Sequence, residues 1–374
     1  MKYLLFTIIG VAMVCNMKAQ DRVLTMEEAI LGYELYPKNL YVQWQGDKNV
    51  LTYIEGTDLV GETAVNGEKS VLMSVEELNG ILGAHLKGWP QYSWKDAKTL
   101  VIRRQGKIFE VDVEKKKLSA IFTIAQGAEN VTSNGKALVA YTKGNNLYYT
   151  DANGNEFAVT KDENPDIVNG QAVSRNEFGI QGGIFWSPDG KKLAFYRKDE
   201  SEVGTFPLLD INTRTGSLRE IKYPMTGMKS EQVSLGVYDV ASGRTVFMDV
   251  TDFGREQYLT NIAWHPSSAY VYIQVLDRSQ KHMRLNQYDA KTGAFVQTLL
   301  EEKNERYTEP LTPVVFLKDA GSKTFIYRTN NRDGYFNLYL VDAASGKVVK
   351  RLTDVDADVE MVGQDGKYVY YTSA

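Results

Sequence analysis

The chain has 374 residues, 43% of them hydrophobic and 24% charged, with 31 glycines, 9 prolines and a single cysteine. A chain of this size and composition buries a sizeable core, which excludes a disordered polymer and a small disulfide-stapled scaffold. A formal net charge of −4 leaves no broad basic face for nucleic acid, and 23 tyrosines suit the half-buried surfaces of pleated sheets.

The first residues read as a leader. Lys2 is followed by an apolar run from Leu4 to Val14 and then by Asn16-Met17-Lys18-Ala19, the pattern of a secretory signal peptide (1–19) cut after Ala19. The run is shorter than the ~20 residues a membrane span needs. Cys15 keeps a lipoprotein anchor open as an alternative, although Ala12-Met13-Val14 fits the small-residue pattern of such sites poorly. Cleavage removes Lys2 and Lys18 and no acidic residue, so the remaining chain is more acidic. It also removes the sole cysteine, and with it any thiol nucleophile or thiolate metal ligand. The chain is therefore expected to be exported, periplasmic or extracellular, with membrane association if Cys15 carries a lipid. In the N-terminal segment 20–43, Met26 to Leu35 is predicted to form a short helix with Thr25 as its N-cap.

From Trp44 to the end (44–374) the sequence repeats itself. One pattern is an aromatic or small residue, a tight polar turn and an alternating apolar strand. Its clearest copy is Trp186-Ser187-Pro188-Asp189-Gly190, running into Leu193-Ala194-Phe195-Tyr196. Proline presets φ in this turn and glycine takes the positive φ. Related copies begin at Trp44, Trp94, Ser133, Trp264 and Phe316, and a last one at Gly363. The period is roughly 50 residues. Between these copies an apolar strand ends in aspartate, a turn and glycine: Tyr238-Asp239 to Gly243, Tyr288-Asp289 to Gly293 and Val341-Asp342 to Gly346. These are hairpin loops with glycine placed for the left-handed position. Two hairpins per repeat make a four-stranded antiparallel sheet, which cannot cover both faces alone and must stack radially. The predicted fold is all-β: a β-propeller of about seven four-stranded antiparallel blades, the last incomplete. Ser74 to Leu86 and Lys198 to Met228 break the rhythm, the first as a short helix or loop, the second as an insertion too long for a hairpin turn. Because the last repeat halts at Ala374, the chain is expected to be part of a longer one.

The chemistry of the sequence is mostly negative. No glycine has a serine two residues on, so there is no Gly-x-Ser-x-Gly nucleophile elbow. Three histidines, His85, His265 and His282, form no metal-binding pair. His265 stands where the clearest repeat has a serine and reads as a turn residue, and His282 as a solvated hairpin residue. The run Asp354-Val355-Asp356-Ala357-Asp358 lacks the glycine and terminal glutamate of a calcium loop and reads as an inter-blade linker. One segment remains, Ser174-Arg175-Asn176-Glu177-Phe178-Gly179-Ile180, shortly before Trp186. A carboxylate held there at an opening could bind a cationic group such as a peptide's free amine. The plainer alternative is a surface pair between Arg175 and Glu177.

Taken in order, Arg175-Asn176-Glu177-Phe178, Phe185-Trp186-Ser187-Pro188-Asp189-Gly190, Asp199-Glu200-Ser201-Glu202-Val203, Tyr223-Pro224 and Thr329-Asn330-Asn331-Arg332-Asp333-Gly334-Tyr335 resemble the N-terminal propeller of dipeptidyl peptidase IV, in the prolyl oligopeptidase family. The resemblance runs from about Met26 to Ala374. It implies an irregular propeller that covers an α/β-hydrolase domain carrying the catalytic serine, aspartate and histidine, a domain this chain lacks. It implies no cofactor. It also implies that the propeller holds the substrate's amino terminus through acidic residues, here Glu177, with Arg175 and Asn176 beside it and Tyr307 as a candidate for the pocket rim. Many members place two adjacent glutamates there; this chain has Asn176 before Glu177. The family's further substrate-contacting arginine has no match in Ala125-Gln126-Gly127-Ala128-Glu129-Asn130. The implied partners are a peptide's amino terminus, the hydrolase domain and, in the full-length form, a second copy. The chain alone is expected to be catalytically inactive. A freestanding propeller that binds a protein or peptide partner stands as the alternative, and a propeller glycosidase would need acidic residues converging from several blades.

Overall fold

The computed structural model describes residues 23–32, 40–317 and 321–373; the predicted leader lies outside them. The chain divides into two units, Met1–Val42 and Gln43–Ala374. In the first, helix Met26–Leu31 opens on a capping box. Thr25 accepts a hydrogen bond from the Glu28 amide, and the Glu28 carboxylate accepts one from the Thr25 amide. The helix ends at Gly32, short of the predicted Leu35.

The second unit is a ring of antiparallel sheets whose strands follow one another in chain order. Five blades are four-stranded meanders, at 43–74, 92–123, 129–158, 258–303 and 315–351, and one, at 167–247, has five strands. A two-stranded hairpin at 359–373 follows. It lies between the sixth blade and the first: Gln364 donates to the Phe316 carbonyl at 2.7 Å, and the Tyr370 ring is 5.3 Å from that of Trp44. The prediction of about seven repeats with an incomplete last one is met by six blades and this half-blade.

The repeated residues turn out to be the stitching between blades. The Trp94 indole donates to Thr52 Oγ1 at 2.8 Å, that of Trp186 to the Thr132 carbonyl at 3.0 Å and that of Trp264 to the Phe185 carbonyl at 3.0 Å. Each reaches back to the preceding blade, so the aromatic residue recurs because each blade needs a hook. In two of the three aspartate turns the glycine has a second duty besides its positive φ. A Cβ on Gly293 would lie 2.1 Å from the Phe247 carbonyl oxygen, and one on Gly346 1.8 Å from that of Leu299. Only glycine lets these turns close on the neighbouring blade. Between blades the inner faces bury Val, Ile and Tyr side chains, and the Tyr196 hydroxyl donates to the Leu259 carbonyl at 2.8 Å across one such seam.

Both irregular stretches acquire structure. Val75–Leu82 is a helix capped by Ser74, with Leu78 buried between the first two blades. Thr205–Asp210 and Ser217–Lys222 pair with each other as a two-stranded arm of the fourth blade.

Candidate functional site

The inner edge of the fourth blade is broken. Ile167–Asn169 and Ile184–Trp186 both pair with Lys192–Asp199, one at each end of it. The amide of Gly170 donates to the Tyr196 carbonyl and the amide of Tyr196 to the Gly183 carbonyl, so the chain between Gly170 and Gly183 leaves the sheet and returns beside its own exit. The neck is tight: a Cβ on Gly183 would lie 2.1 Å from the Gln171 carbonyl oxygen.

The tip of this excursion is left-handed. Ser174, Arg175, Asn176, Phe178 and Gly179 all have positive φ, between 51° and 72°. Left-handed backbone costs a non-glycine residue roughly 1–2 kcal/mol, so neighbouring structure must impose it. Val173 and Ile180 anchor the two ends in the core. The Ser174 amide donates to Glu231 Oε1 at 2.6 Å, and Asn261 Nδ2 donates to the Phe178 carbonyl at 3.0 Å. The Phe178 ring packs 4.8 Å from that of Tyr258. Gly179 abuts the Leu311 backbone.

Beside this turn is a cleft of about 230 Å³ lined by Arg175, Glu177, Tyr223, Glu231, Glu256, Tyr258 and Arg278 among others. Most of its charges are already engaged. Arg175 donates to the Lys222 carbonyl and lies 4.6 Å over the Tyr223 ring. Arg278 donates to the Tyr258 hydroxyl, lies 5.5 Å over that ring and is 3.9 Å from Glu256. Glu231 is held by Ser174. Glu177 is exposed, and among the described residues no hydrogen bond or ion pair engages its carboxylate. Arg175 therefore does not neutralise Glu177, and the surface pair that was the plainer alternative does not form. The cleft presents one uncommitted carboxylate at a rigid opening, a fit for a cation small enough to approach it.

Asn176 is adjacent, but its amide turns back to the Ile180 carbonyl at 3.3 Å and it is not part of the lining. Tyr307 is exposed on the next loop over and also outside the lining; the neighbouring Thr308 amide donates to the carbonyl of Gln280, which does line the cleft. Glu231, Glu256, Tyr258 and Arg278 were not anticipated. They come from distant segments, and no local pattern marks them.

A larger cavity, of about 560 Å³, opens between the first blade, the sixth and the final hairpin. Its arginine is engaged: Arg328 Nε donates to the Val359 carbonyl and the guanidinium lies 4.0 Å over Phe336. Its walls are largely apolar, with Trp44, Phe316 and Tyr370. The other sequence candidates have structural duties. His265 closes its turn, receiving the Ser268 amide on its carbonyl, with Nδ1 2.7 Å from Ser267 Oγ. His282 is not simply solvated: Nε2 is 2.6 Å from Glu301 Oε1 on the paired strand. Asp354 pairs with Arg351, and Asp358 accepts from the Phe336 amide. Among the described residues no cluster of His, Cys, Asp or Glu could hold a metal ion.

The fold is a ring of meander blades with a polar turn thrown out from one inner edge and Glu177 at its tip. The model of the dipeptidyl peptidase IV N-terminal region matches residues 103–374, and the chain belongs to that family. Among solved structures, a Bacteroides ovatus protein assigned as a dipeptidyl aminopeptidase IV aligns over 94% of this chain and 52% of its own, with 34% identity and a TM-score of 0.81. Porphyromonas gingivalis dipeptidyl peptidase 4 aligns over 95% and 52%, at 22% identity and a TM-score of 0.76, a likeness of fold. A probable dipeptidyl peptidase 4 of Trichophyton verrucosum is 22% identical over 94% of this chain and 50% of its own length. The chain thus spans about half the length of these three relatives.

Proposed function

We propose that this chain is the substrate-recognition propeller of an exported serine dipeptidyl peptidase, and that Glu177 holds the free amino terminus of the peptide. The observation that carries this reading is the uncommitted Glu177 carboxylate on the cleft wall, at the tip of a turn held by Glu231 of its own blade and Asn261 of the next. An ammonium group there would gain a charge-assisted contact of about 1.5–3 kcal/mol. It would also fix the peptide's register, since the only ammonium group on the main chain is at its amino terminus. Hydrolysis belongs to an α/β-hydrolase domain, normally in the same chain in such peptidases. Titration of the chain with tri-alanine and N-acetyl-tri-alanine tests the reading. The free peptide is expected to bind about 10- to 100-fold more tightly; equal affinities would contradict it.

Export is supported by the apolar run Leu4–Val14 and the small residue Ala19, and amino-terminal sequencing of the secreted protein checks it. Among the described residues no helix is long and apolar enough to cross a membrane. The arm supports self-association: it pairs only with itself, and Leu209 and Leu218, directly opposite each other, are 65% and 71% exposed. Replacing both by aspartate is expected to shift a dimer to a monomer in sedimentation.

A further inference from the structure

We propose that Glu231 is a positioning residue: its carboxylate locks the left-handed turn that presents Glu177 to the cleft. This role rests on the reading of Glu177 given above.

Where the chain leaves the sheet after Gly170, its backbone amides lose their ladder partners and must find others. The Ser174 amide, at the first residue of the left-handed run, finds Glu231 Oε1 at 2.6 Å, a charged acceptor and so a strong one. Glu231 immediately precedes Gln232–Asp239, which pairs residue for residue with Lys192–Asp199, so the carboxylate is mounted on a rigid strand end. Downstream of Glu177 the turn has separate anchors, Asn261 on the Phe178 carbonyl and Leu311 against Gly179. Glu177 is thus bracketed, and beyond the core anchor Val173 it is Glu231 that supplies the upstream polar bracket. Of Ser174, Arg175 and Asn176 only Asn176 adopts the left-handed conformation with any ease, and none does so as freely as glycine. With the upstream bracket gone, the turn is free to relax to negative φ and carry Glu177 away from the opening. Two hydrogen bonds inside the turn report its integrity: Asn176 amide to Val173 carbonyl, 3.1 Å, and Glu177 amide to Ser174 carbonyl, 3.0 Å.

Amide hydrogen exchange on the whole chain tests the proposal. In Glu231→Ala the Ser174, Asn176 and Glu177 amides are expected to exchange at least about 10-fold faster, while the Tyr196 amide, bonded to Gly183, is unchanged. Glu231→Gln retains an acceptor oxygen and is expected to stay within about 3-fold of the parent in both exchange and tri-alanine affinity, whereas Glu231→Ala loses about 10-fold in affinity. Glu231→Asp keeps the charge but falls short of Ser174, and is expected to follow alanine in exchange. Unchanged exchange at Ser174 and Glu177 in Glu231→Ala overturns the proposal. So does a Glu231→Gln variant that loses affinity as alanine does while exchange is intact, because Glu231 would then meet the amine itself. If Glu177→Gln binds tri-alanine as the parent does while Ser174 exchange still responds to Glu231→Ala, the amine reading fails and the bracket stands.

Discussion

Replacing Gly179 by alanine puts a methyl group where a backbone oxygen already stands. The added Cβ would lie 1.8 Å from the Leu311 carbonyl oxygen and 2.7 Å from its carbon. No rotamer relieves a clash with main chain, so one of the two segments must move. The residue also sits at φ +72°, where a side chain costs roughly 1–2 kcal/mol. Movement of the turn stretches the bond from Asn261 to the Phe178 carbonyl, about 1 kcal/mol more. The Asn261 amide nitrogen keeps the Thr260 hydroxyl and the Pro310 carbonyl as acceptors, so the cost stays near that of one bond. The expected loss is about 2–4 kcal/mol, read as a lower urea midpoint with the slope unchanged. Gly182→Ala is the control. Gly182 lies on the same excursion, outside the left-handed region, with no atom within 4 Å of an added Cβ. It should be neutral or gain up to about 1 kcal/mol through the unfolded state. Coincident midpoints for the two variants would refute this account of how the excursion closes.

Two further outcomes follow from buried charges. Lys95 Nζ is 2.7 Å from Glu110 Oε2, and Glu110 is 3% exposed with its other oxygen unpartnered; Lys95→Ala should destabilise by about 3–5 kcal/mol in urea unfolding, and the double variant Lys95→Met with Glu110→Leu should recover most of that. Burial pushes the Glu302 carboxyl above its ordinary 4.5, against the hydrogen bond from Thr329. The folded state therefore binds that proton more tightly than the unfolded one, a contribution present below the ordinary value and lost as pH rises through the raised one. Glu302→Gln is accordingly expected to melt higher than the parent at pH 7, with the difference closing by about pH 4; an equal difference at both would contradict it.

The propeller was legible because its signals are local and repeated. Trp186 to Gly190 is a turn, a hook and a strand start within a few residues, and Asp289 to Gly293 sets a hairpin and a blade contact in one motif. The helix after Thr25 was readable from its N-cap, whereas Ser74 to Leu86 read only as a short helix or loop, although Ser74 and Glu77 carry the same four-residue capping pattern. The site was legible only in part. Glu177 stood out through the segment it sits in, but Ser174 and Arg175 give no sign of a left-handed turn and Asn176 only a weak one, since that conformation is imposed from outside. Glu231 is 57 residues from its Ser174 partner and Asn261 is 83 from Phe178; the first pairing arises from the folding of one blade around its insertion and the second from the stacking of the next blade against it. The arm was visible only as an overlong loop. Its strands pair with each other alone, so most of their residues stay exposed and no buried-face alternation marks them.

The central claim is that the Glu177 carboxylate reads a free amino terminus. A thermodynamic cycle tests it most directly: the parent and Glu177→Gln, each titrated calorimetrically with tri-alanine and with N-acetyl-tri-alanine. Glutamine keeps the shape and removes the charge. The account predicts a coupling of about 1.5–3 kcal/mol between the glutamate and the amine, with the acetylated peptide nearly indifferent to the substitution. Equal losses on both peptides, or none on either, would contradict it.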